Sequence, residues 1–249
     1  MLSKAKIKFI KSLQIKKYRK QEQCFIVEGA KSVRELLTSD FKVKILLGTP
    51  AFLSSVDHNE GYELIEVNEK DLEGLGEFQS NDTALAVVQT KMNDALTVDH
   101  QEYALVLDDI RDPGNLGTII RTADWFGMKK IIASNETADF YNPKVISATM
   151  GSFTRIQMYY TDLAEYLYKV KIPVFGTYLE GTDIHKVTFD KGGLIIIGNE
   201  SKGIHPALEK FVTQKITIPR YGNAESLNAG IAAGILCFAV SGKNLKDAS

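Results

Sequence analysis

Apolar residues in the opening segment MLSKAKIKFIKSLQIKKYRK recur with helical spacing, so that Ile7, Ile10 and Leu13 share a face and lysines take the opposite one. The run CFIVEG at 24–29 predicts a short strand, followed by a helix over 30–37 and strands over 43–47 and near 63–67. A short acidic helix over 69–75 and a strand over 84–89 complete a small α/β unit. The polar stretch KMNDALTVDHQE, 91–102, reads as a linker, with the cut near residue 97.

The second part opens on the apolar run YALVLDD, 103–109, a buried strand. Further strands near 130–133, 156–159, 173–178, 194–198 and 215–218 alternate with helical stretches. That alternation predicts a parallel sheet with helices on both faces. In such sheets ligands bind beyond the carboxyl ends of the strands, so chemistry is sought in the polar loops that follow them.

Three loops qualify. In the first, LDDIRDPGNLG at 107–117, Pro113 and Gly114 turn the chain and Asn115 stands at a helix start. Leu116, Ile119, Ile120, Ala123 and Phe126 form the apolar face of that helix. Arg121, six residues after Asn115, lies roughly 120° away around the axis at 100° per residue, within reach of the first turn for a long side chain. A capping Asn and a solvated Arg would explain the same pair. The second loop, 198–204, follows the strand LIIIG and carries Asn199, Glu200 and Gly203 between turns. It has neither the glycine spacing of a dinucleotide fingerprint nor the Lys-Ser/Thr of a phosphate-binding loop. In the third, IPRYGNAESLNAGIAAG at 218–234, Ser226 suits the N-cap of a helix over 227–241 whose buried stripe is Leu227, Ile231, Ile235 and Phe238. Ala229, Gly230, Ala232, Ala233 and Gly234 allow another backbone to come close, although each Gly costs about 1 kcal/mol of helix propensity relative to Ala.

Composition narrows this only locally. The 249 residues suit one large domain or two small ones, and a net charge of −1 singles out no partner for the chain as a whole. Residues 1–20, however, hold eight Lys or Arg and no acid. Such a block is either a polyanion-facing arm or the solvated face of an amphipathic helix. Cys24 and Cys237 form no disulfide framework or metal-spaced pair, and His58, His100, His185 and His205 are scattered, so no metal site is expected. The basic N-terminus is followed by no apolar run of signal-peptide length, and no window reaches membrane-spanning length, which predicts a cytoplasmic protein with no membrane partner.

Taken in order, the three loops resemble the motifs of the SpoU/TrmH family of RNA ribose 2′-O-methyltransferases, in the SPOUT superfamily. The first motif is similar to DPGNLGTIIRTAD at 112–124, the second to IGNESKGI at 197–204 and the third to IPRYGNAESLNAGIAA at 218–233. Residues 1–90 look, more loosely, like the family's small substrate-binding domain, which is similar to an RNA-binding ribosomal-protein fold. The resemblance implies a small α/β RNA-binding domain, 1–97, before a methyltransferase domain, 98–249, whose parallel sheet ends in a C-terminal trefoil knot, a rarity among folds. It implies a homodimer and S-adenosylmethionine as methyl donor, lined by Gly198, Ile218 and Leu227 largely through backbone groups, with Thr177 nearby. It also implies catalytic roles for Asn115, Arg121, Glu200, Ser226 and Asn228. Asn115 would hold the sugar, Glu200 would orient Arg121 or Asn115, and Ser226 and Asn228 would position the nucleotide or shape the pocket. Arg121 would either accept the 2′-hydroxyl proton or stay charged and stabilise the developing alkoxide, which is what a guanidinium does more readily. The extra N-terminal domain favours ribosomal RNA over transfer RNA, with Lys4, Lys6, Lys8 and Lys11 on the nucleic acid. A non-catalytic RNA-binding module would keep the basic arm without needing this polar set, and a doubly wound dehydrogenase would need the missing glycine fingerprint.

Neutralising Lys4, Lys6, Lys8 and Lys11 together is expected to weaken RNA binding and to flatten its salt dependence, by roughly 0.7 in log–log slope for each phosphate that the lysines no longer neutralise, with cofactor affinity unchanged. Binding titrations across a salt series measure the slope, and an unaltered slope makes the lysines a solvated helix face.

Overall fold

The computed structural model describes residues 2–57, 61–77, 81–189 and 192–241, so His58 lies outside the described residues. The chain divides into two compact units, one of Met1–Met92 with Asp139–Thr154, the other of Asn93–Ala138 with Arg155–Ser249. The division is therefore not contiguous in sequence.

In the first unit α1 (Lys4–Ser12) and α2 (Lys16–Glu22) precede β1 (Cys24–Glu28), α3 (Ala30–Leu37), β2 (Val43–Gly48), α4 (Pro50–Leu53), β3 (Glu63–Glu66), α5 (Glu69–Leu72) and β4 (Ala84–Gln89). The sheet order is β1-β4-β2-β3, with β4 antiparallel to both neighbours and β2 parallel to β3. Both faces of β1 are covered. Cys24 and Ile26 pack with Ile10 and Leu13 of the N-terminal segment, while Phe25 points the other way. Its ring meets Tyr141 at 4.6 Å, Phe153 at 6.1 Å and Phe41 at 5.8 Å. Tyr141 and Phe153 flank α7 (Pro143–Ala148), and this aromatic cluster helps join Asp139–Thr154 to the first unit.

The basic segment is two helices rather than one, and it is partly consumed by the fold. Arg19 is 3% exposed. Its Nη1 donates to the carbonyls of Leu13 and Gln14 at 2.9 and 2.8 Å, and its Nη2 pairs with Asp139 Oδ2 at 2.7 Å. Lys6 pairs with Glu63. Lys4, Lys8 and Lys11 stay exposed.

The second unit holds β5 (Tyr103–Leu107), α6 (Pro113–Trp125), β6 (Lys130–Ser134), β7 (Gln157–Thr161), α8 (Leu163–Lys169), β8 (Val174–Asp183), β9 (Gly193–Ile197), β10 (Gln214–Thr217) and α9 (Ala229–Ser241). The six strands run parallel in the order β10-β8-β9-β5-β6-β7, as the alternating pattern predicts. Every residue of β9 and all but the first of β5 are buried, the mark of strands covered on both faces. Leu163 and Leu167 of α8 pack with Ala104, Val106, Leu194 and Ile196 on one face. Helix α9 packs on β9 and α6.

Four details depart from the sequence reading. The strand expected over 103–109 stops at Leu107, because Asp109 takes a left-handed φ of 59°. The helical stretch expected between the strands near 194–198 and 215–218 is a 3₁₀ segment, Pro206–Phe211. Strand β8 runs on to Asp183, but its pairing with β10 jumps from Gly176↔Lys215 to Thr182↔Ile216, which leaves 177–181 bulged out. Helix α9 starts at Ala229 and buries Ala229, Gly230, Ala233, Leu236, Cys237 and Val240. Leu227, Ile231 and Phe238, expected inside, are 46%, 55% and 67% exposed. A helix apolar on every side carries no period that selects the inner face. Close packing selects it: a Cβ on Gly230 would lie 2.9 Å from Thr118 Cγ2 of α6.

Arg19→Ala leaves a carboxylate and two carbonyls without their shared donor. It is expected to lower the unfolding free energy by about 3 kcal/mol, read as a fall in urea midpoint. A midpoint equal to wild type would show that the Arg19–Asp139 pair contributes nothing net.

Candidate active site

All three motif loops belong to the second unit. Asp112 caps α6, its Oδ1 accepting from Asn115 N at 2.8 Å, and Pro113 occupies the first helical turn where its missing N–H is harmless. This fixes Asn115 on the exposed first turn. Its Nδ2 donates to Glu200 Oε1 at 2.6 Å, and its Oδ1 accepts from Asn228 Nδ2 at 2.8 Å. The amide orientations are forced. Glu200 in its ionised form only accepts, so Asn115 turns its nitrogen to it. Asn228 Oδ1 is engaged with the N–H groups of Gly230 and Ile231 at 2.9 and 3.3 Å, so its nitrogen faces Asn115. The cap of α9 is thus Asn228, not Ser226.

The loop bearing Glu200 is closed on itself. Asn199 and Gly203 exchange both backbone hydrogen bonds, at 3.1 and 2.8 Å, and Asn199 Oδ1 accepts from Ser201 N and Lys202 N. Asn199 Nδ2 donates to the Asp109 carbonyl at 2.8 Å. Gly198 is required here, since a Cβ on it would lie 2.3 Å from the backbone of Gly203 and Ile204. Asp109 itself stores about 1–3 kcal/mol of backbone strain in its left-handed conformation. Burial pushes the Asp108 carboxyl above the usual carboxylate range, partly opposed by the backbone N–H of His205.

Of the residues singled out by the sequence, Asn115, Glu200 and Asn228 are joined directly. Thr177 and Gly198 follow the adjacent strand positions Gly176 and Ile196–Ile197, and Thr177 Oγ1 donates to Ile196 O at 2.7 Å. Ile218 follows β10 half-buried, and Leu227 precedes Asn228. Arg121 and Ser226 are exposed, and their side chains make no hydrogen bond or ion pair among the described residues; Glu200 bonds to Asn115 rather than to Arg121. Sequence reasoning gave no role to Asp108 and Asp109, whose signal was the acid pair closing an apolar strand, and named Asn199 without assigning it one. No group of three or more His, Cys, Asp or Glu able to hold a metal occurs among the described residues, and no helix there is long and apolar enough to cross a membrane.

Comparison with known proteins defines the class. Residues 102–238 match the SpoU rRNA Methylase family, and residues 4–86 match the MRM3-like substrate binding domain. The chain belongs to the SpoU/TrmH family of S-adenosylmethionine-dependent RNA ribose 2′-O-methyltransferases. It is 31% identical over 241 residues to the 23S rRNA (guanosine(2553)-2′-O)-methyltransferase RlmP of Bacillus subtilis, covering 95% of this chain and 96% of that one. It is also 31% identical over 179 residues to the 23S rRNA (guanosine-2′-O-)-methyltransferase RlmB of Acinetobacter baylyi, covering 69% and 64% of the two. Among solved structures, the AdoMet-bound rRNA methyltransferase from Sinorhizobium meliloti superposes with a TM-score of 0.87 at 30% identity, covering 98% of this chain and 97% of that one. A TrmH-family protein from Porphyromonas gingivalis gives 0.88 at 34% identity, covering 96% and 98%.

Gly198→Ala is expected to force the backbone of 203–204 away, costing about 1–3 kcal/mol of stability and weakening S-adenosylmethionine binding. Calorimetric titration beside thermal melting checks both, and wild-type affinity in the variant would remove Gly198 from the cofactor site.

Proposed function

We propose that this protein transfers the methyl group of S-adenosylmethionine to a ribose 2′-hydroxyl of ribosomal RNA. The observation that carries this reading is the convergence of Asn115, Glu200 and Asn228, from three loops, into one hydrogen-bonded set beyond the strand ends of a parallel sheet. The relatives RlmP and RlmB are named for 2′-O-methylation of 23S rRNA, which supports ribosomal RNA as the substrate.

The loop 219–228 suits the donor. Among the described residues its only backbone–backbone hydrogen bond is the one its last carbonyl, that of Asn228, accepts from Ala232 N. Apart from the Ala224 carbonyl, which accepts from Arg220 Nη1 at 3.4 Å, its other N–H and C=O groups are open to a ligand, beside the half-buried Ile218 and the exposed Leu227. With Gly198 and Thr177 at the neighbouring strand ends, these residues would hold S-adenosylmethionine, which supplies an electrophilic methyl on a sulfonium. In-line transfer of that methyl to the ribose 2′-oxygen would leave the C–S electron pair on sulfur and pass the hydroxyl proton to solvent water. Asn115 and Asn228 each keep one amide N–H free of the set, and these hold the sugar in that line. Glu200 orients Asn115. Arg121 remains a charged guanidinium with all its donors available, stabilising the developing alkoxide and an adjacent phosphate. Ser226 positions the nucleotide from the same loop.

The N-terminal part, 1–97, would bind RNA through Lys4, Lys8 and Lys11, with Lys6 shared with Glu63, and 98–249 would carry the chemistry, its C-terminal end tied in the family's trefoil knot. Exposed Trp125, Ile231 and Phe238 on α6 and α9 support a homodimer in which a second copy covers them. The protein would act in the cytoplasm, on RNA.

Mapping 2′-O-methylation across cellular rRNA and tRNA with and without the protein tests the function. A site lost only in rRNA is the expected result, one lost only in tRNA redirects the substrate, and none in either makes the protein a binding module. In single-turnover assays with saturating RNA, Arg121→Ala is expected to lose about 10²–10³ in rate, Arg121→Lys nearly as much, and cofactor binding to survive in both. A folded Arg121→Ala protein at wild-type rate would remove Arg121 from the site.

A further inference from the structure

Glu200 does not hold itself in place. Strands β5 and β9 pair through Leu107↔Ile197, and Asp108 N donates to Ile197 O at 2.9 Å, the last rung before the chains separate. Beyond it the loop is tied back at both ends to the two residues that follow β5. At the near end Asn199 Nδ2 donates to the Asp109 carbonyl at 2.8 Å. At the far end His205 N donates to Asp108 Oδ2 at 2.6 Å. Between the ties the Asn199–Gly203 pair closes the loop, and Glu200 projects from it to Asn115. Asp108 is only 7% exposed, a poor location for a carboxylate that merely needs solvent.

We propose that Asp108 is a positioning residue, whose carboxylate anchors the far end of the 199–205 loop and thereby sets Glu200 against Asn115 for methyl transfer. The proposal rests on the methyltransferase reading above for its activity readout, but the anchoring itself does not. The anchor needs an acceptor oxygen, which an Asn would also supply. Because burial raises the Asp108 carboxyl above its ordinary 3.8, the folded state binds that proton more tightly than the unfolded chain. Its ionisation therefore costs stability as pH rises from the unfolded value through the folded one, and that cost is present at neutral pH. Asp108→Asn lacks that cost, so its melting temperature at neutral pH is expected to match or exceed wild type.

The experiment uses the full chain. In Asp108→Ala, amides of 199–205 are expected to exchange hydrogen about tenfold faster while the β5–β9 ladder amides keep their protection, and Asp108→Asn should restore the loop. Single-turnover methylation should fall about 10²-fold in Asp108→Ala and return to within about threefold in Asp108→Asn. In a Glu200→Ala background, Asp108→Ala should cost less than about threefold more, because the residue acts through Glu200. Unchanged loop exchange in Asp108→Ala overturns the anchor, and a cost that simply adds to that of Glu200→Ala overturns the route through Glu200. A wild-type protein that methylates no RNA brings down the proposed function instead, and loop exchange still decides the anchor.

Discussion

The pairing of β5 with β9 is the interaction on which the second unit depends. Residues some ninety positions apart in the chain run side by side through Tyr103↔Gly193 to Leu107↔Ile197, and both strands are buried almost throughout. Their carboxyl ends therefore stop at the same level. The loops that leave them, with Asp108 and Asn115 on one side and Asn199 and Glu200 on the other, have nowhere to go but past each other. Parallel strands cannot be joined by a tight hairpin, so each loop is free of its neighbour's turn geometry and can present polar side chains instead.

The polar set built there is satisfied in one direction only. Glu200 accepts, Asn115 relays, and Asn228 ends the chain on the first N–H groups of α9. A capping residue usually completes a helix and nothing more. Here the cap gives its oxygen to the helix and turns its nitrogen to Asn115, so the start of α9 and the start of α6 hold each other in register. The same two helices run side by side below, Thr118 against Gly230, Thr122 against Gly234 and Phe126 against Phe238 with ring centroids 6.3 Å apart. The glycines that weaken α9 as an isolated helix are the positions where α6 approaches.

In the first unit the equivalent constraint is electrostatic. A guanidinium buried at 3% exposure with three oxygen partners cannot lose any of them cheaply, so Arg19 ties the turn after α1 to Asp139. The basic character of the N-terminal segment is thereby split. One cation holds the fold, one pairs with Glu63, and the exposed lysines of α1 are left for solvent or a polyanion.

The elements themselves were legible in the sequence, because burial on both faces writes long apolar runs such as LVL and LIII, and because proline, glycine and the capping Asp112 mark where α6 begins. The three motif loops were legible too, since each combines a strand end with polar residues and a turn. Their union was not. The bond from Asn115 to Glu200 spans 85 positions and that from Asn228 to Asn115 spans 113, and no local pattern encodes which amide meets which carboxylate. The inner face of α9 was misread for a related reason: a helix apolar all round has no stripe of its own, and its orientation was decided by where α6 could come closest. Asp139–Thr154 likewise reads as part of the second domain from its place between β6 and β7, and the packing of Phe153 and Tyr141 on Phe25, with the Arg19–Asp139 pair, assigns it to the first unit. Periodicity and turn chemistry act over a few residues, so they determine elements and their ends. Close packing and hydrogen bonding between distant segments exist only once the chain has folded, so the assembly of the site belongs to the tertiary structure.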